Sequence, residues 1–282
     1  MNTRTRNHIP RPFLKWAGGK GQLLGELMAA VERAGEFNRY HEPFVGGGAL
    51  FFELFRMKRL PQKKAFLSDT NERLIDAYWG LGHDVERVIA LLNEHKEKHC
   101  KEYYYTVRAG VPEDRLERAA RIIYLNRTCF NGLFRENSKG LFNVPMGRYK
   151  NPAICDSANL RAVAEALKKK AKLETRPFES VLEHAEPGDF VYFDPPYHPV
   201  TKTASFTAYA QGGFGEGAQR QLADVFAELH RRGVKVLLSN SYTPLVHALY
   251  EPFVIEEVYA TRRVNSRADL RGKVSEALVR NY

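Results

Sequence analysis

The residues Asp194-Pro195-Pro196-Tyr197 directly follow an apolar run and form the most specific chemical signature in the sequence. Two consecutive prolines fix the backbone and remove two N–H donors, so the turn exposes carbonyl oxygens in a fixed direction. A carboxylate and a rigid carbonyl can accept the two hydrogens of an exocyclic amine, while an aromatic ring stacks on the planar base that carries it. An isolated Asp-Pro pair would indicate only an ordinary turn, but the four-residue run predicts a site that aims an amine nitrogen at an electrophile.

A second motif is the run of three glycines at 46–48, which follows the run HEPFV at 41–45. Glycines at a strand-to-helix turn let the backbone approach a ligand closely. Asp69 ends the next apolar run, 21 positions after Gly48. This is about the spacing at which a wound α/β fold offers a carboxylate to ribose hydroxyls. The alternative for Asp69 is a cap of the helix that begins near Asn71. Together, the glycines and the carboxylate favour a cofactor that carries a nucleoside.

Two common nucleotide motifs are absent from these segments. Phe51 occupies the position where a dinucleotide fingerprint needs its third small residue. The run Gly18-Gly19-Lys20-Gly21 lacks the upstream glycine of a P-loop, and Gly21 stands where Ser or Thr would hold magnesium. The sequence therefore excludes both simple alternatives.

The elements that must position these motifs alternate along the chain. The predicted strands are HEPFV at 41–45, KKAFLS at 63–68, DFVYFD at 189–194 and VKVLLSN at 234–240. Apolar residues with helical spacing lie between them at 22–34, 73–81 and 218–232. This alternation predicts an α/β fold with a wound sheet.

The segment 82–173 differs from the rest of the chain. It contains mostly helical and loop signals and the densest mixture of Arg, Asn, Gly and aromatic residues. We predict that 82–173 forms an inserted, mainly helical domain, and that 1–81 and 174–282 form the catalytic domain.

The composition favours a polyanionic partner. The 282 residues include 43 Lys and Arg against 33 Asp and Glu, a formal net charge of +10, and nucleic acid is the first candidate for such a basic protein. The three cysteines lack the CxxC spacing of zinc and redox sites, so we expect no bound metal. The start of the chain lacks a signal-peptide pattern and no apolar run reaches membrane-spanning length, so we expect a cytoplasmic protein.

The order of the glycine turn, the acidic strand end, the inserted segment and DPPY resembles the alpha-group amino-methyltransferases. More closely, the chain resembles the Dam family of DNA adenine methyltransferases over nearly its whole length. The blocks that carry this resemblance are FLKWAGGK at 13–20, EPFVGGG at 42–48, SDTN at 68–71, NRTCFNGLFREN at 126–137, FNVPMGRYKNP at 142–152, DPPY at 194–197, ASFTAY at 204–209 and RGKVSEALVRNY at 271–282. The resemblance implies an α/β, Rossmann-like S-adenosylmethionine-dependent methyltransferase sheet with an inserted, mainly helical DNA-recognition domain.

The resemblance also implies a reaction and the residues that perform it. S-adenosyl-L-methionine would donate its methyl group directly and in line to adenine N6, so positioning supplies most of the catalysis. The predicted catalytic residues are Asp194, Pro195, Pro196 and Tyr197. The predicted cofactor-binding residues are Trp16, Lys20, Phe44, Gly46, Gly48, Asp69, Phe178 and Asp194.

Double-stranded DNA is the implied partner, GATC the implied target, and base flipping the implied means of reaching the adenine. The predicted DNA-binding residues are Lys15, Phe130, Asn131, Leu133, Arg135, Pro145 and Arg148. By resemblance, Phe130 intercalates into the duplex, and Asn131 contacts the base that loses its partner when the adenine flips out. DNA binding of this kind would associate the protein with the nucleoid.

The remaining residues of that set match positions with separate roles. Lys15 and Arg135 match the readers of the first and the outer guanine, and Leu133 and Pro145 match residues that meet a thymine methyl group, which is standard groove chemistry. Phosphate contact or solvated surface is favoured for Arg148, Arg262, Arg263, Arg267 and Lys273. Core packing is the alternative for Leu133, Phe134 and Phe142, and it is the interpretation we favour for Phe134.

Other methyltransferase classes need different residues at the corresponding positions. A cytosine C5 enzyme would need a nucleophilic cysteine, typically after proline, and the sequence has no Pro-Cys pair. Cytosine N4 enzymes usually carry Ser before the two prolines, and RNA and protein-glutamine methyltransferases tend to show Asn-Pro-Pro. The missing Pro-Cys pair excludes the cytosine C5 class, whereas the cytosine N4, RNA and protein-glutamine classes stay open as alternatives, as does a DNA-binding regulator without turnover. The sequence does not distinguish a solitary enzyme from a restriction-modification or phage enzyme, nor does it identify protein partners.

The glycine-rich stretch 210–217 departs from the family pattern, which usually has Ser or Thr opening the next helix. Gly215 can occupy the N-cap, although glycine gives a slightly weaker start. Because this stretch is expected beside the active site, we predict a mobile loop that orders on DNA binding.

Overall fold

The computed structural model describes residues 9–16, 18–61, 65–137, 139–199, 214–261 and 273–282. The predictions that lie outside the described residues concern 204–209, the glycine-rich residues 210–213, Arg262, Arg263, Arg267 and the side chain of Lys273. The chain divides into two compact units. The first comprises Met1–Gly19, Gly46–Leu60 and Asn71–Thr175, and the second comprises Lys20–Val45, Pro61–Thr70 and Arg176–Tyr282.

Strands and helices alternate in the described residues, as the sequence predicts. The strands are β1 (Tyr40–Glu42), β2 (Ala65–Asp69), β3 (Ala171–Thr175), β4 (Phe190–Phe193), β5 (Lys235–Ser241), β6 (Val254–Thr261) and β7 (Lys273–Arg280). The α-helices are α1 (Leu24–Ala34), α2 (Ala49–Arg56), α3 (Glu72–Glu97), α4 (Lys101–Ala109), α5 (Arg115–Thr128), α6 (Ser157–Lys170), α7 (Glu216–Arg231) and α8 (Pro244–Tyr250). Short 3-10 helices occur at Lys20–Gln22, Phe130–Gly132 and Phe178–Glu183.

The strands of the second unit are arranged in the order β2-β1-β4-β5-β7-β6. Strands β2, β1, β4 and β5 are parallel, whereas β7 is antiparallel to both of its neighbours. The carboxyl ends of the parallel strands therefore meet at one edge, where wound α/β folds bind their ligands. The strand predicted at 41–45 ends earlier, at Glu42, so Phe44 and Val45 lie in the loop beyond β1.

Strand β4 lies at the centre of this sheet and is buried along its whole length. Such continuous burial is typical of a strand covered on both faces. Helix α7 buries its apolar face, with Leu222, Phe226 and Leu229 in the same core cluster as Val191 and Phe193. The N-cap of α7 is Gly215, as the sequence predicts, and this glycine provides no side-chain cap.

The first unit is mainly helical and contains α2 to α6 together with β3. Helix α3 packs against α5 and α6. Asn or Asp side chains cap three of these helices: Asn71 caps α3, Asp114 caps α5 and Asp156 caps α6. Helix α3 breaks at Asp84, whose φ of −143° and ψ of 83° are not helical.

The described ranges contain neither a membrane-spanning helix nor a cluster of metal ligands. No helix in these ranges is long and apolar enough to cross a membrane. The same ranges contain no group of His, Cys, Asp and Glu side chains arranged to hold a metal ion.

Candidate active site and DNA-reading segment

The DPPY turn begins where β4 ends, in the second unit. Because β4 pairs in parallel with β1 on one side and β5 on the other, the chain delivers Asp194 to the ligand-binding edge of the sheet. Asp69 ends β2 and thus also lies at a carboxyl end of a parallel strand. The cap of helix α3 is Asn71, so the structure does not support the alternative in which Asp69 caps that helix.

Asp194 is held by a lysine and a serine of the second unit. Lys20 Nζ lies 2.6 Å from Asp194 Oδ1, and only 6% of the lysine is exposed. Ser239 donates its hydroxyl to the same oxygen at 2.9 Å, and the Tyr192 hydroxyl lies 3.0 Å from Ser239 Oγ. Burial raises the pKa of the Asp194 carboxyl, while Lys20 and Ser239 oppose that rise. The result is a desolvated carboxylate with a fixed orientation, which is a strong hydrogen-bond acceptor.

A buried polar network binds the carbonyl of the second proline, Pro196. Gln219 Nε2 donates to the Pro196 carbonyl at 3.0 Å, and Asn240 Nδ2 donates to Gln219 Oε1 at 2.9 Å. The amide of His198 donates to Asn240 Oδ1 at 3.0 Å, which fixes the chain just after the turn. Gln219 and Asn240 are fully buried, each at 0% exposure. Buried amides of this kind are stable only when they are hydrogen-bonded, so the network and the turn specify each other.

Sequence reasoning missed Gln219, Asn240 and Ser239, although signals were present for each. Gln219 lies three residues before Leu222 on the apolar face of α7, where a polar residue is unusual. Ser239 and Asn240 lie near the carboxyl end of β5, the same edge that carries Asp194. A polar residue on an apolar helix face, or at such an edge, is the pattern that identifies them.

An aromatic cluster lies beyond β1. The ring centroids of Phe44 and Phe178 are 5.4 Å apart and nearly parallel, and Phe214 packs edge-on against both rings. Phe178 opens its 3-10 helix and is 7% exposed. The structure therefore brings together two predicted cofactor residues, Phe44 and Phe178, and adds Phe214, which sequence reasoning did not select.

The glycine turn belongs to the first unit and has local reasons for its composition. Gly46 and Gly48 have φ angles of 46° and 65°, which favour glycine. The Tyr78 hydroxyl donates to the Gly46 carbonyl at 3.0 Å, and a Cβ atom at Gly48 would lie 2.6 Å from that hydroxyl. Trp16 lies close to this turn, since a Cβ atom at Gly47 would be 3.6 Å from the Trp16 Cβ. The turn is thus packed tightly against Tyr78 and Trp16.

Asn126 joins the predicted DNA reader Lys15 to the segment that follows α5. The Asn126 amide accepts from the Lys15 backbone N–H at 2.7 Å and donates to the Lys15 and Gly132 carbonyls at 2.9 and 3.0 Å. A Cβ atom at Gly132 would lie 2.6 Å from Lys15 Cβ, and the φ of Gly132 is 65°. Gly132 is therefore required by both its conformation and the close approach of Lys15.

The predicted DNA-contacting side chains stand out from this fixed backbone. Phe130 is 48% exposed and Leu133 is 45% exposed, so core packing is not the explanation for Leu133. Asn131 adopts a left-handed conformation with φ of 54°, which is uncommon outside glycine. Phe134 packs against Trp16 and Phe142, with centroid distances of 5.2 and 5.8 Å, which confirms its structural interpretation.

Backbone hydrogen bonds bring the block 142–152 beside the block 126–137. The Phe130 N–H donates to the Pro145 carbonyl at 2.9 Å, and the Asn143 N–H donates to the Arg135 carbonyl at 3.0 Å. Arg135 Nε also donates to Asn143 Oδ1 at 2.7 Å. Arg135, Pro145 and Arg148 are all exposed. The hydrogen bonds thus present side chains from both sequence blocks on one segment of the first unit.

Comparison with known proteins agrees with these features. Residues 16–264 match the family model described as D12 class N6 adenine-specific DNA methyltransferase. The chain is 44% identical to the type II methyltransferase M1.LlaDCHI of Lactococcus lactis subsp. cremoris, covering 100% of this chain and 99% of that protein. It is 43% identical to the type II methyltransferase M.MjaIII of Methanocaldococcus jannaschii, covering 96% and 99%. It is 35% identical to the DNA adenine methylase of Escherichia coli K12, covering 95% and 94%.

These matches decide among the alternatives that the sequence left open. They select adenine over cytosine N4, and DNA over RNA or protein, as the methylated substrate. Use of S-adenosylmethionine is general in this family, and the α/β sheet described above agrees with a Rossmann-like methyltransferase. The chain belongs to the D12 class of N6 adenine-specific DNA methyltransferases, as its resemblance to the Dam family implied.

Proposed function

We propose that this chain transfers a methyl group from S-adenosylmethionine to adenine N6 in duplex DNA, at GATC, after the adenine has been flipped out of the helix. The observation that carries the proposal is Asp194, a partly buried carboxylate at the start of a rigid Pro-Pro-Tyr turn. A fixed acceptor at this edge of the sheet is what an exocyclic amine requires.

The residues at the carboxyl ends of the parallel strands fit a nucleoside cofactor. Phe44 and Phe178 offer ring faces for an adenine, and Asp69 offers a carboxylate for ribose hydroxyls. When bound, the cofactor supplies an activated sulfonium methyl group. Trp16, Gly46 and Gly48 belong to the first unit, and we propose them as cofactor contacts on the family resemblance alone.

Asp194 and the Pro195 carbonyl hold the target amine in our proposal. Among the described residues, Lys20 and Ser239 both contact Asp194 Oδ1, so we assign Oδ2 to the amine. Hydrogen bonds to the two amine hydrogens help the nitrogen lone pair to localise, and they stabilise the positive charge that develops there during transfer. Gln219 keeps the turn in place through the Pro196 carbonyl.

Base flipping requires groups that receive the adenine and groups that fill the gap it leaves. Tyr197 follows the prolines and would stack on the flipped base. Extrusion costs a few kcal/mol, which an intercalated ring partly offsets. Phe130 supports this role because it is an exposed aromatic side chain on a segment whose backbone is held by Pro145.

The specificity proposal rests on Arg135, Leu133 and Lys15. Asn143 binds Arg135 through Nε, so bidentate contact of the two terminal guanidinium nitrogens with guanine O6 and N7 stays geometrically possible. Leu133 offers an exposed apolar tip for a thymine methyl group. We propose 82–173 as the target-recognition domain that carries most of these residues, with Lys15 joined to it through Asn126.

The relatives also suggest a biological setting. Identity to the two type II methyltransferases, 44% and 43%, exceeds the 35% identity to the Escherichia coli enzyme. We therefore propose a type II modification enzyme, which methylates its target sites in the host DNA so that a restriction endonuclease does not cut them. It would act in the cytoplasm on the DNA of the nucleoid.

The function is tested with purified protein, S-adenosylmethionine and plasmid DNA. The methylated plasmid is digested with one endonuclease that requires adenine methylation in GATC and with one that is blocked by it. We expect the first cut to appear and the second to disappear, with the Asp194→Asn variant as the inactive control. Mass spectrometry of the nucleosides then separates the remaining outcomes. N6-methyladenine without a change in digestion would contradict GATC, and its absence would contradict the proposed reaction.

A further inference from the structure

The hydroxyl of Tyr197 is hydrogen-bonded to a side chain of strand β7. Tyr197 donates its hydroxyl to Glu276 Oε2 at 2.6 Å. Glu276 lies on β7, paired with Ser241 of β5 and Val258 of β6, so its backbone is held on both sides. The tyrosine of the DPPY turn is thus anchored to a strand that lies between two others in the sheet.

This hydrogen bond has the features of a strong one. It is short and its acceptor is a carboxylate, and such charge-assisted bonds are roughly twice as strong as neutral ones. Burial, with smaller contributions from Asp194 and Glu276, holds the pKa of the Tyr197 hydroxyl well above its usual value. The phenol therefore keeps its proton at neutral pH and stays the donor.

The other constraint on the ring comes from the lysine that binds Asp194. Lys20 Nζ lies 4.6 Å from the Tyr197 ring centroid, in cation–π geometry. The ring is therefore held at its hydroxyl by Glu276 and over its face by Lys20. Together, these contacts fix the plane of the ring, which backbone rigidity of the two prolines alone does not determine.

We propose that Glu276 is a positioning residue for base capture, which acts through the Tyr197 hydroxyl to hold the ring in the plane where it stacks on the flipped adenine. The inference rests on the proposed role of Tyr197 as the receiver of that base. Small errors in placement cost large factors in rate when catalysis depends on alignment. Glu276 therefore affects the captured base and the transfer step, and leaves cofactor binding unchanged.

The test is a double-mutant cycle with Tyr197→Phe, Glu276→Ala and the combined variant. Each single change removes one partner of the hydrogen bond, and we expect each to lower the single-turnover methylation rate by roughly 10- to 100-fold. If Glu276 acts through the hydroxyl, the combined variant is no slower than the slower single variant. Losses that multiply in the combined variant would overturn the proposal, as would an unchanged rate in Glu276→Ala.

A second readout separates positioning from a merely structural role. Emission of 2-aminopurine at the target adenine position reports the flipped base, and it is expected to change with Glu276→Ala and Tyr197→Phe in the same direction and to the same extent. Affinity for S-adenosylmethionine should match that of the unmodified protein. Glu276→Gln keeps an acceptor and should recover part of the rate. Glu276→Leu, which has no acceptor, replaces Glu276→Ala in the cycle if the alanine variant does not fold.

The matched control is Glu257→Ala, which removes a carboxylate of the neighbouring strand β6 that is bonded to Ser275 rather than to the catalytic turn. Its rate and its 2-aminopurine emission should stay unchanged. Tyr197→Ala tests the proposed function separately from the inference about Glu276. An active Tyr197→Ala variant would contradict the proposed function, whereas an inactive one beside a fully active Glu276→Ala variant would overturn only the inference about Glu276.

Discussion

The residues around Asp194 are buried and held by side-chain hydrogen bonds, whereas the predicted DNA-contacting side chains are exposed on a backbone that is held beneath them. In the second unit, Asp194 and the turn it begins are fixed by Lys20, Ser239 and Gln219. In the first unit, Asn126 fixes the backbone while Phe130 and Leu133 extend outward. Transfer chemistry needs a fixed acceptor, but recognition of a separate duplex needs accessible tips on a fixed base. Changes in the two regions should therefore have different signatures.

The largest expected effect is that of Asp194→Asn, which keeps the shape of the side chain and removes its charge. We expect kcat to fall by about 10³-fold, because the developing charge on the amine loses its fixed carboxylate. Affinity for DNA should be unchanged. The rate is measured as transfer of labelled methyl groups to an oligonucleotide duplex. Asp224→Asn, an exposed position on α7, is the control, and a similar rate for the two variants would contradict the role of Asp194.

Gln219→Leu tests whether the turn depends on its buried network. The change leaves the Pro196 carbonyl and Asn240 without their partner, so the free energy of unfolding should fall by about 1–3 kcal/mol. Gln221→Leu is the same substitution two positions along on the exposed face of α7 and should have little effect. Both are measured by urea denaturation. Equal stability of the two variants would show that the network does not support the turn.

Gly132→Ala tests the close approach of Lys15 in the recognition segment. The added Cβ atom would lie 2.6 Å from Lys15 Cβ, in a residue whose φ is 65°. Gly140 has a similar φ of 69° but nothing within 4 Å of its added Cβ, so Gly140→Ala measures the backbone strain alone. We expect Gly132→Ala to be less stable than Gly140→Ala by roughly 1–3 kcal/mol, and to bind target DNA more weakly. Thermal unfolding and a fluorescence binding assay compare them, and matching behaviour would rule out the steric requirement.

Arg135→Ala and Arg148→Ala sharpen the comparison within the exposed residues and should leave stability nearly unchanged. Loss of Arg135 should relax selection at the outer base pair, by about 1–3 kcal/mol of discrimination. Loss of Arg148 should weaken binding to all sequences and reduce the slope of binding against salt by about 1. The measurement is kcat/KM on GATC and on outer-base variants at several salt concentrations. Unaltered ratios after Arg135→Ala would exclude it as the guanine reader.

The sequence predicted the parts of the fold that have a strong local pattern. The strands that became β4 and β5 were found nearly in full, because both are apolar runs between polar boundaries. Strand β3 was missed, because its residues alternate irregularly and are only partly buried. Strand β7 was recognised as a family block but not as a strand that inserts between β5 and β6, since strand order depends on pairing across long distances in the chain.

The candidate site was predictable where residue types carry their own chemistry. Asp194, Tyr197 and Lys20 come from motifs, and the structure brings all three together. Gln219 and Glu276 were not predicted, because a glutamine in a helix and a glutamate in a strand gain meaning only from the atoms they meet in the fold. Sequence patterns thus selected the candidate reacting groups, whereas the groups that hold them required coordinates.

The position of β7 in the sheet also bears on how the protein is made. Strand β7 is synthesised after β5 and β6 yet lies between them, so the two earlier strands cannot complete their pairing on the ribosome until its residues have emerged. Domains generally form from the N-terminal side during synthesis, and here β7 brings Glu276 to the tyrosine of the DPPY turn. A nascent chain that already carries every residue of DPPY would therefore still lack the anchored ring. Activity should appear only in chains long enough to include β7.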